Sequence, residues 1–181
     1  GLGDVYKRQY LEAASQVLNL PVSELLKKVI KQYGGFCFER RAKEKVLAPW
    51  SFLNFLASPR NDLLDYWFES GGKASALMDS LKSDSMRDPE EYGRDKFVSL
   101  SSLSGSSSLE SLSDLALLAQ TGYLTIKAVK YGDTVFLDYP NLEVKKSMGQ
   151  LYVEHLLRGR SAGQVGAGPI VQVLSLSLIH I

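Results

Sequence analysis

Cysteine and histidine are scarce in this 181-residue sequence, which has one cysteine and two histidines. A single cysteine, Cys37, cannot form an intrachain disulfide or a cysteine-only zinc cluster. Long apolar runs are also missing, since a stretch such as 115–118 is far shorter than the roughly 20 residues of a membrane-spanning helix. We therefore expect a protein of a reducing compartment, by default the cytoplasm, without a membrane partner.

An excess of charge of one sign is absent as well, because 21 Lys and Arg face 20 Asp and Glu, for a net charge of +1. A nucleic-acid-binding domain usually carries a clear basic excess, so the charge gives no indication of a nucleic-acid partner. The hydrophobic content of 45% is enough to bury a real core. One globular domain or two small ones fit this length.

The two ends of the chain lack native features. No Met opens the sequence, and 4–9 can be encoded by GAT GTG TAT AAG AGA CAG, whose reverse complement CTG TCT CTT ATA CAC ATC encodes 176–181. This DNA resembles the transposase mosaic end used in sequencing libraries. We therefore expect 1–9 and 176–181 to be translated adapter and both native ends to be absent.

Helical spacing of apolar residues dominates the first third of the chain. It predicts two helices between Tyr10 and Tyr33, with Pro21 in the first turn of the second helix and Gly34-Gly35 at its end. A short helix is predicted from Pro49 to a stop before Pro59, and we assign its aromatic side chains to the core.

The middle of the chain gives weaker signals. Leucine and methionine at helical spacing predict a short helix over 74–81. Serine dominates from Ser99 to Ser113, which predicts a loosely held loop or short turns rather than a firm element. Asp114 is then predicted to cap a helix from Leu115 to Gln120, because an aspartate can accept the free amides of a first turn.

A hairpin signal follows that helix. Polar and apolar residues alternate from Tyr123, and Tyr131-Gly132-Asp133 supplies turn residues before the second strand. Helical spacing returns from Leu142 to Leu157. The predicted fold class is therefore mainly α with a small β-hairpin (α+β), and the order helix, hairpin, helix is typical of a winged-helix-like unit.

Five separated strings, in this order, resemble one family, the bacterial AAA-ATPase-like domains that are often followed by a PD-(D/E)XK-type nuclease domain. The strings are Tyr33-Gly34-Gly35-Phe36 with Phe38, Pro49-Trp50-Ser51-Phe52-Leu53-Asn54, Tyr66-Trp67-Phe68-Glu69-Ser70-Gly71, Gln120-Thr121-Gly122-Tyr123-Leu124-Thr125-Ile126-Lys127 and Tyr139-Pro140-Asn141-Leu142-Glu143-Val144.

The resemblance implies that 10–157 form the helical, winged-helix-like lid of the ATPase-like domain and that 158–175 begin a connector toward the nuclease-like domain. It also implies that the ATPase core, with its phosphate-binding loop and Mg²⁺-binding strand, lies upstream. ATP and Mg²⁺ would then belong to the parent protein, and the two missing domains would be the intramolecular partners of this chain.

Two motifs resemble functional sites, a phosphate-binding loop and a metal-dependent nuclease site, but each is incomplete or wrongly arranged. Gly71-Gly72-Lys73 looks like the end of a phosphate-binding loop, but the earlier glycine is absent and Ala74 replaces the Ser or Thr that would hold Mg²⁺. Asp138, Glu143 and Lys145 imitate the two carboxylates and the lysine of a metal-dependent nuclease. Pro140-Asn141 makes a turn between the two acids, so we assign Glu143 to the start of a helix.

Single reactive residues also favour structural roles. His155 is predicted to be packed or partly exposed on an apolar helix face, and Cys37 to be a small buried apolar residue. Tyr66-Trp67-Phe68 is interpreted as a corner of the core rather than a base-stacking surface. A solvated helix face accounts for the densest basic stretch, with DNA binding as the alternative; it comprises Lys27, Lys28, Lys31, Arg40, Arg41, Lys43 and Lys45.

The sequence thus favours a non-enzymatic lid and connector with no catalytic or metal-binding residues of its own. Two alternatives stay open. A winged-helix nucleic-acid-binding module would need a basic, exposed helix and hairpin tip. A protein-interaction domain would expose an apolar patch formed by 66–68 and the leucines of the serine-rich segment.

Overall fold

The computed structural model of the protein describes residues 2–39, 41–60, 63–67, 87–93, 96–103 and 113–157. Within these ranges the chain forms seven helices and three strands. The helices are α1 (Leu2–Leu18), α2 (Val22–Tyr33), α3 (Pro49–Ala57), α4 (Pro89–Tyr92), α5 (Leu100–Leu103), α6 (Asp114–Gln120) and α7 (Leu142–Leu157). The strands are β1 (Lys96–Ser99), β2 (Thr125–Lys130) and β3 (Thr134–Asp138). The predicted α+β class is confirmed.

Helices α1 to α3 pack around one apolar cluster. On α2, Leu25, Val29 and Tyr33 recur every four residues and are fully buried, because that spacing keeps them on one helix face. Phe52 and Phe55 of α3 lie against them. Truncating a side chain such as Leu25 to alanine typically costs about 2–5 kcal/mol, so this cluster is a major source of stability.

The break between α1 and α2 lies where the sequence predicts it, but the role of Pro21 differs. Pro21 is the N-cap residue before α2 and not part of its first turn. Its carbonyl oxygen accepts hydrogen bonds from the amides of Glu24 and Leu25, which is the position of the last residue outside a helix. The predicted end is confirmed, since α2 stops at Tyr33 with Gly34 as C-cap.

Helix α3 begins at Pro49 as predicted, but not all of its aromatic side chains are in the core. Phe52 and Phe55 are buried, whereas Trp50 is 57% exposed and Leu53 is 62% exposed. In a nine-residue helix, Trp50 and Leu53 point about opposite to the phenylalanine pair. The assignment of Trp50 to the core is therefore wrong.

A three-stranded antiparallel sheet with the order β1-β3-β2 carries the second apolar cluster. The predicted hairpin is confirmed as β2 and β3, while β1 was not predicted. The pairing of β1 runs from Lys96 opposite Leu137 to Ser99 opposite Thr134. A four-residue strand has only two positions per face, too few for a recognisable alternation. The segment 99–113, predicted as a loosely held loop or short turns, begins with the last residue of β1 and the four-residue helix α5 at 100–103.

A bulge interrupts β2 at Lys127, where the register shifts between Ile126 and Ala128. An extra residue inverts the alternation of faces beyond it. For this reason Ile126 and Val129, three residues apart, both pack against the same apolar cluster. The bulge also directs the half-buried Lys127 toward the end of β3.

Helices α6 and α7 flank the hairpin and close the second cluster. Val144, Met148 and Leu151 on α7 are fully buried at helical spacing, and the predicted bounds of α7 are confirmed. The predicted cap of α6 is wrong by one residue. Ser113 is the N-cap, with its Oγ 3.2 Å from the amide of Ala116.

Asp114 is the first residue of α6, and its carboxylate interacts with the next backbone amide and with two side chains outside the helix. Its Oδ1 accepts from the Leu115 amide at 2.8 Å, and its Oδ2 lies 3.1 Å from Arg87 Nε. The Tyr92 hydroxyl also donates to Oδ2, at 3.3 Å. This short network attaches α4 to the start of α6.

Several predictions fall outside the described residues. They are the phosphate-loop-like string 71–73, the helix over 74–81, Phe68, most of the serine-rich segment, the connector 158–175 and the C-terminal adapter. Among the described helices, none is long and apolar enough to cross a membrane.

Candidate functional site

The two apolar clusters meet at a joint, which we define by Gly34, Gly35, Ser51, Tyr66, Trp67, Asn141 and Glu143. Asn141 stands at its centre and is buried. Its Oδ1 accepts the amide of Val144 at 2.9 Å, which caps the first turn of α7. Its Nδ2 donates to the carbonyl oxygen of Gly34 at 2.8 Å, so one side chain starts α7 and satisfies the end of α2.

Gly35 allows the backbone to approach closely at this joint. Its φ of +83° belongs to the left-handed region, and a Cβ placed there would overlap the Pro140 carbonyl oxygen. The ammonium group of Lys127 donates to the same oxygen, at 3.0 Å. The Gly34-Gly35 pair is therefore required by a close contact as well as by the end of a helix.

Glu143 is fully buried at the joint. Its Oε1 accepts the backbone amides of Tyr66 at 2.5 Å and Trp67 at 2.9 Å. Its Oε2 and the Ser51 Oγ, both buried, have no hydrogen-bond partner of normal geometry. Removal from water raises the pKa of Glu143, while the two amides and the nearby Ser51 hydroxyl lower it less.

The segment 63–67 crosses the joint and is tied down from both sides. From α2, the Tyr33 hydroxyl donates to the Leu64 carbonyl oxygen at 2.8 Å and Gln32 Nε2 donates to Asp65 Oδ1 at 2.6 Å. From α7, Lys146 Nζ lies 3.3 Å from Asp65 Oδ2. The segment thus acts as a clasp between the helical layer and the sheet-bearing unit.

Trp67 continues the clasp into the second cluster. Its ring stacks on Phe36, with centroids 5.1 Å apart, and meets Tyr123 edge-on at 6.3 Å. Beside these rings, the Cys37 amide donates to Thr125 Oγ1 at 2.8 Å, and that hydroxyl donates to the Cys37 carbonyl oxygen at 3.0 Å. These contacts fix the positions of Trp67 and of the backbone at Cys37, whose thiol is buried.

A lysine groove opens beside the joint, with a volume of about 860 Å³. We define it by its lysines, Lys31, Lys45, Lys127 and Lys145, and by its apolar wall, Leu26, Ile30 and Val46. Glu90 and Asp138 are the acidic residues that line it. Four cations and two carboxylates give the groove a positive balance.

Two of these groove residues have shifted ionisation. Burial lowers the pKa of Lys127, although the nearby Asp138 carboxylate opposes the shift. Burial raises the pKa of Asp138, and a hydrogen bond from the Tyr139 amide at 2.7 Å opposes that shift. The pair therefore forms a partly desolvated floor for the groove.

No protein-family model, curated protein or solved structure matches this chain. Its function must therefore be inferred from its geometry and its sequence. Among the described residues, no three His, Cys, Asp or Glu side chains are grouped as a metal site would require.

The structure separates the residues of the nuclease-like imitation. Asp138 and Lys145 line the groove, whereas Glu143 bonds to the clasp. Cys37 is buried as predicted, and His155 is half-buried on α7. Tyr66 and Trp67 lie at a corner between the two clusters, as predicted.

Three lysines of the basic stretch lie in two different surroundings. Lys28 pairs with Glu24 on α2, at 3.6 Å, while Lys31 and Lys45 line the groove. Sequence reasoning missed both this division and the buried acceptor role of Glu143. Little in the sequence signalled the second, because Lys146 three residues further along α7 is the partner expected of a glutamate on a helix surface.

Proposed function

We propose that this chain is a non-catalytic lid and connector of an AAA-like ATPase, placed between a nucleotide-binding core and a nuclease-like domain. One observation carries the proposal: the five strings that resemble the family are far apart in sequence, yet all contribute to the joint or its immediate contacts.

The chemistry of the joint fits a mechanical role. Apart from Glu143 Oε2 and Ser51 Oγ, its polar groups are used in a helix cap and in bonds to the clasp, and its aromatic rings fill a corner. Such contacts hold the helical layer at a fixed position against the sheet-bearing unit. A lid that relays the nucleotide state of a core needs this stiffness, since coupling is carried by rigid packed elements.

In this proposal ATP and Mg²⁺ are bound by the core, and no residue of this chain is given a step in hydrolysis. The order α4, β1, α5, α6, β2, β3 with the sheet order β1-β3-β2 supports comparison with a winged helix. That arrangement also favours the second candidate, a nucleic-acid-binding module. Against it, the helix that precedes the hairpin, α6, contains no basic residue, and Leu115 to Leu118 are buried.

The deciding experiment is to sequence the source locus through both ends of this chain. The proposal expects an upstream Gly-x-x-x-x-Gly-Lys-Ser/Thr string that follows a predicted strand, and a nuclease-like domain downstream. A start codon just before Tyr10 together with a stop codon soon after Val173 would overturn it. A small binding module would then be the better conclusion.

A further inference from the structure

The lysine groove has an apolar wall that no other described residue covers. Leu26, Ile30 and Val46 line it and are 38%, 50% and 49% exposed. Leu26 and Ile30 are four residues apart on α2, so they form one continuous strip along the helix. A strip of this kind fits side chains that are spaced along a partner segment.

The rim of the groove carries the positive charge of three of its lysines. Lys31, Lys45 and Lys145 form no ion pair within the part of the chain that the structure describes. Of the two acids, Asp138 is partly buried and accepts the Tyr139 amide. Anions in the groove would therefore meet ammonium groups that no described carboxylate holds in an ion pair, so the desolvation cost would be low.

We propose that the lysine groove binds an acidic, amphipathic segment of a partner protein, which places apolar side chains on the strip and carboxylates on the lysines. The proposal deepens the lid function and rests on it, because such a segment would belong to the ATPase core or to the nuclease-like domain. A small phosphate compound would engage the lysines but leave the apolar strip in water, so a peptide fits both halves of the groove better.

The test uses the whole chain and a fluorescein-labelled peptide with leucine and glutamate at helical spacing. Fluorescence anisotropy measures its Kd. The variant Lys31→Glu with Lys45→Glu should weaken binding roughly tenfold or more, and so should Ile30→Gln alone. The matched control is Lys27→Glu with Lys43→Glu, which alters the same helix and the same loop by the same charge but lies outside the groove.

The groove variants should keep the unfolding curve of the parent chain, since all three side chains are exposed. Equal binding of a leucine and lysine peptide, or equal weakening in the control, would refute the proposal. Inorganic triphosphate that binds alone and displaces the peptide completely would replace it with a small-anion site. If the locus encodes no ATPase core but the peptide still binds by these rules, the lid function fails and the groove remains.

Discussion

Replacing Glu143 tests whether a buried carboxylate holds the joint together. Its Oε1 accepts two backbone amides of the clasp, and its Oε2 is buried without a partner. Glu143→Gln keeps the accepting oxygen at nearly the same shape and removes the charge. Glu143→Ala removes the acceptor, so the Tyr66 and Trp67 amides lose their partner.

The expected sizes follow from the cost of unpaired polar groups. An amide left unpaired in a buried site costs about 1–3 kcal/mol, so Glu143→Ala should lower the free energy of unfolding by about 2–4 kcal/mol at pH 5. Glu143→Gln should stay within about 1 kcal/mol of the parent at that pH. The order of the two variants therefore matters more than either value.

The pH dependence has a definite sign. Because the folded pKa of Glu143 is raised, the folded chain binds its proton more tightly than the unfolded chain does. Its contribution to stability is complete below the unfolded pKa of about 4.3 and is lost as the pH rises through the folded pKa. Glu143→Gln cannot titrate, so it should gain stability relative to the parent over this range.

Urea unfolding curves at several pH values from about 5 to 8, followed by tryptophan fluorescence, give these free energies. The control is Glu154→Gln, which neutralises an exposed glutamate on the same helix and should show no such gain. Equal losses in the Gln and Ala variants would contradict the acceptor role. If the parent instead became more stable relative to Glu143→Gln as the pH rises, the assigned cause of the pKa shift would be contradicted.

The remaining predictions concern the backbone of the joint and the network around α6. Gly35→Ala should lower the free energy of unfolding by about 2 kcal/mol or more. Gly132→Ala is the control and should cost about 1 kcal/mol, because Gly132 also has a positive φ, +78°, but a Cβ there would meet no atom within 4 Å. Equal losses would contradict the close contact at Gly35. Asn141→Ala should cost about 2–3 kcal/mol, since it loses the cap of α7 and the bond to Gly34. Asn141→Asp should also destabilise the chain, because it keeps the cap but places a carboxylate oxygen against the Gly34 carbonyl oxygen; urea unfolding measures both, and a parent-like Asn141→Asp would contradict the donated bond. Burial raises the pKa of Tyr92 to about 12. In an ultraviolet titration, Tyr92→Phe should therefore remove a phenol that ionises near pH 12. Loss of a phenol that ionises near pH 10, the ordinary value, would contradict its burial. The same variant should cost about 1 kcal/mol through the bond to Asp114.

Local patterns predicted the long elements of this fold. Helices α2 and α7 show apolar residues every three or four positions, and the hairpin shows alternation around Tyr131-Gly132-Asp133. Elements that depend on distant partners were missed. Strand β1 exists because it pairs with β3, and its own four residues carry no distinctive period.

The joint could be predicted only in part. The resemblance identified Asn141 and Glu143 as members of one string, but not as the cap that connects α7 to the end of α2 and the acceptor that connects α7 to the clasp. A glutamate in a first turn is normally explained by the helix dipole, and this local explanation concealed its burial. Likewise, Trp50 was predicted to be buried because large apolar residues usually are, and only the structure shows that it lies on the exposed face of its helix.

The joint also has a consequence for the order of folding. Asn141 bonds to a residue 107 positions away, and Glu143 bonds to amides 77 and 76 positions away. On a ribosome, helices α1 to α3 can collapse early, but the Gly34 carbonyl and the clasp amides gain these partners only after 143 has been synthesised. Contacts at such sequence separation form slowly, because a long loop must close first. The first apolar cluster, whose members all lie within 11–66, can therefore form before the joint that connects it to the second cluster.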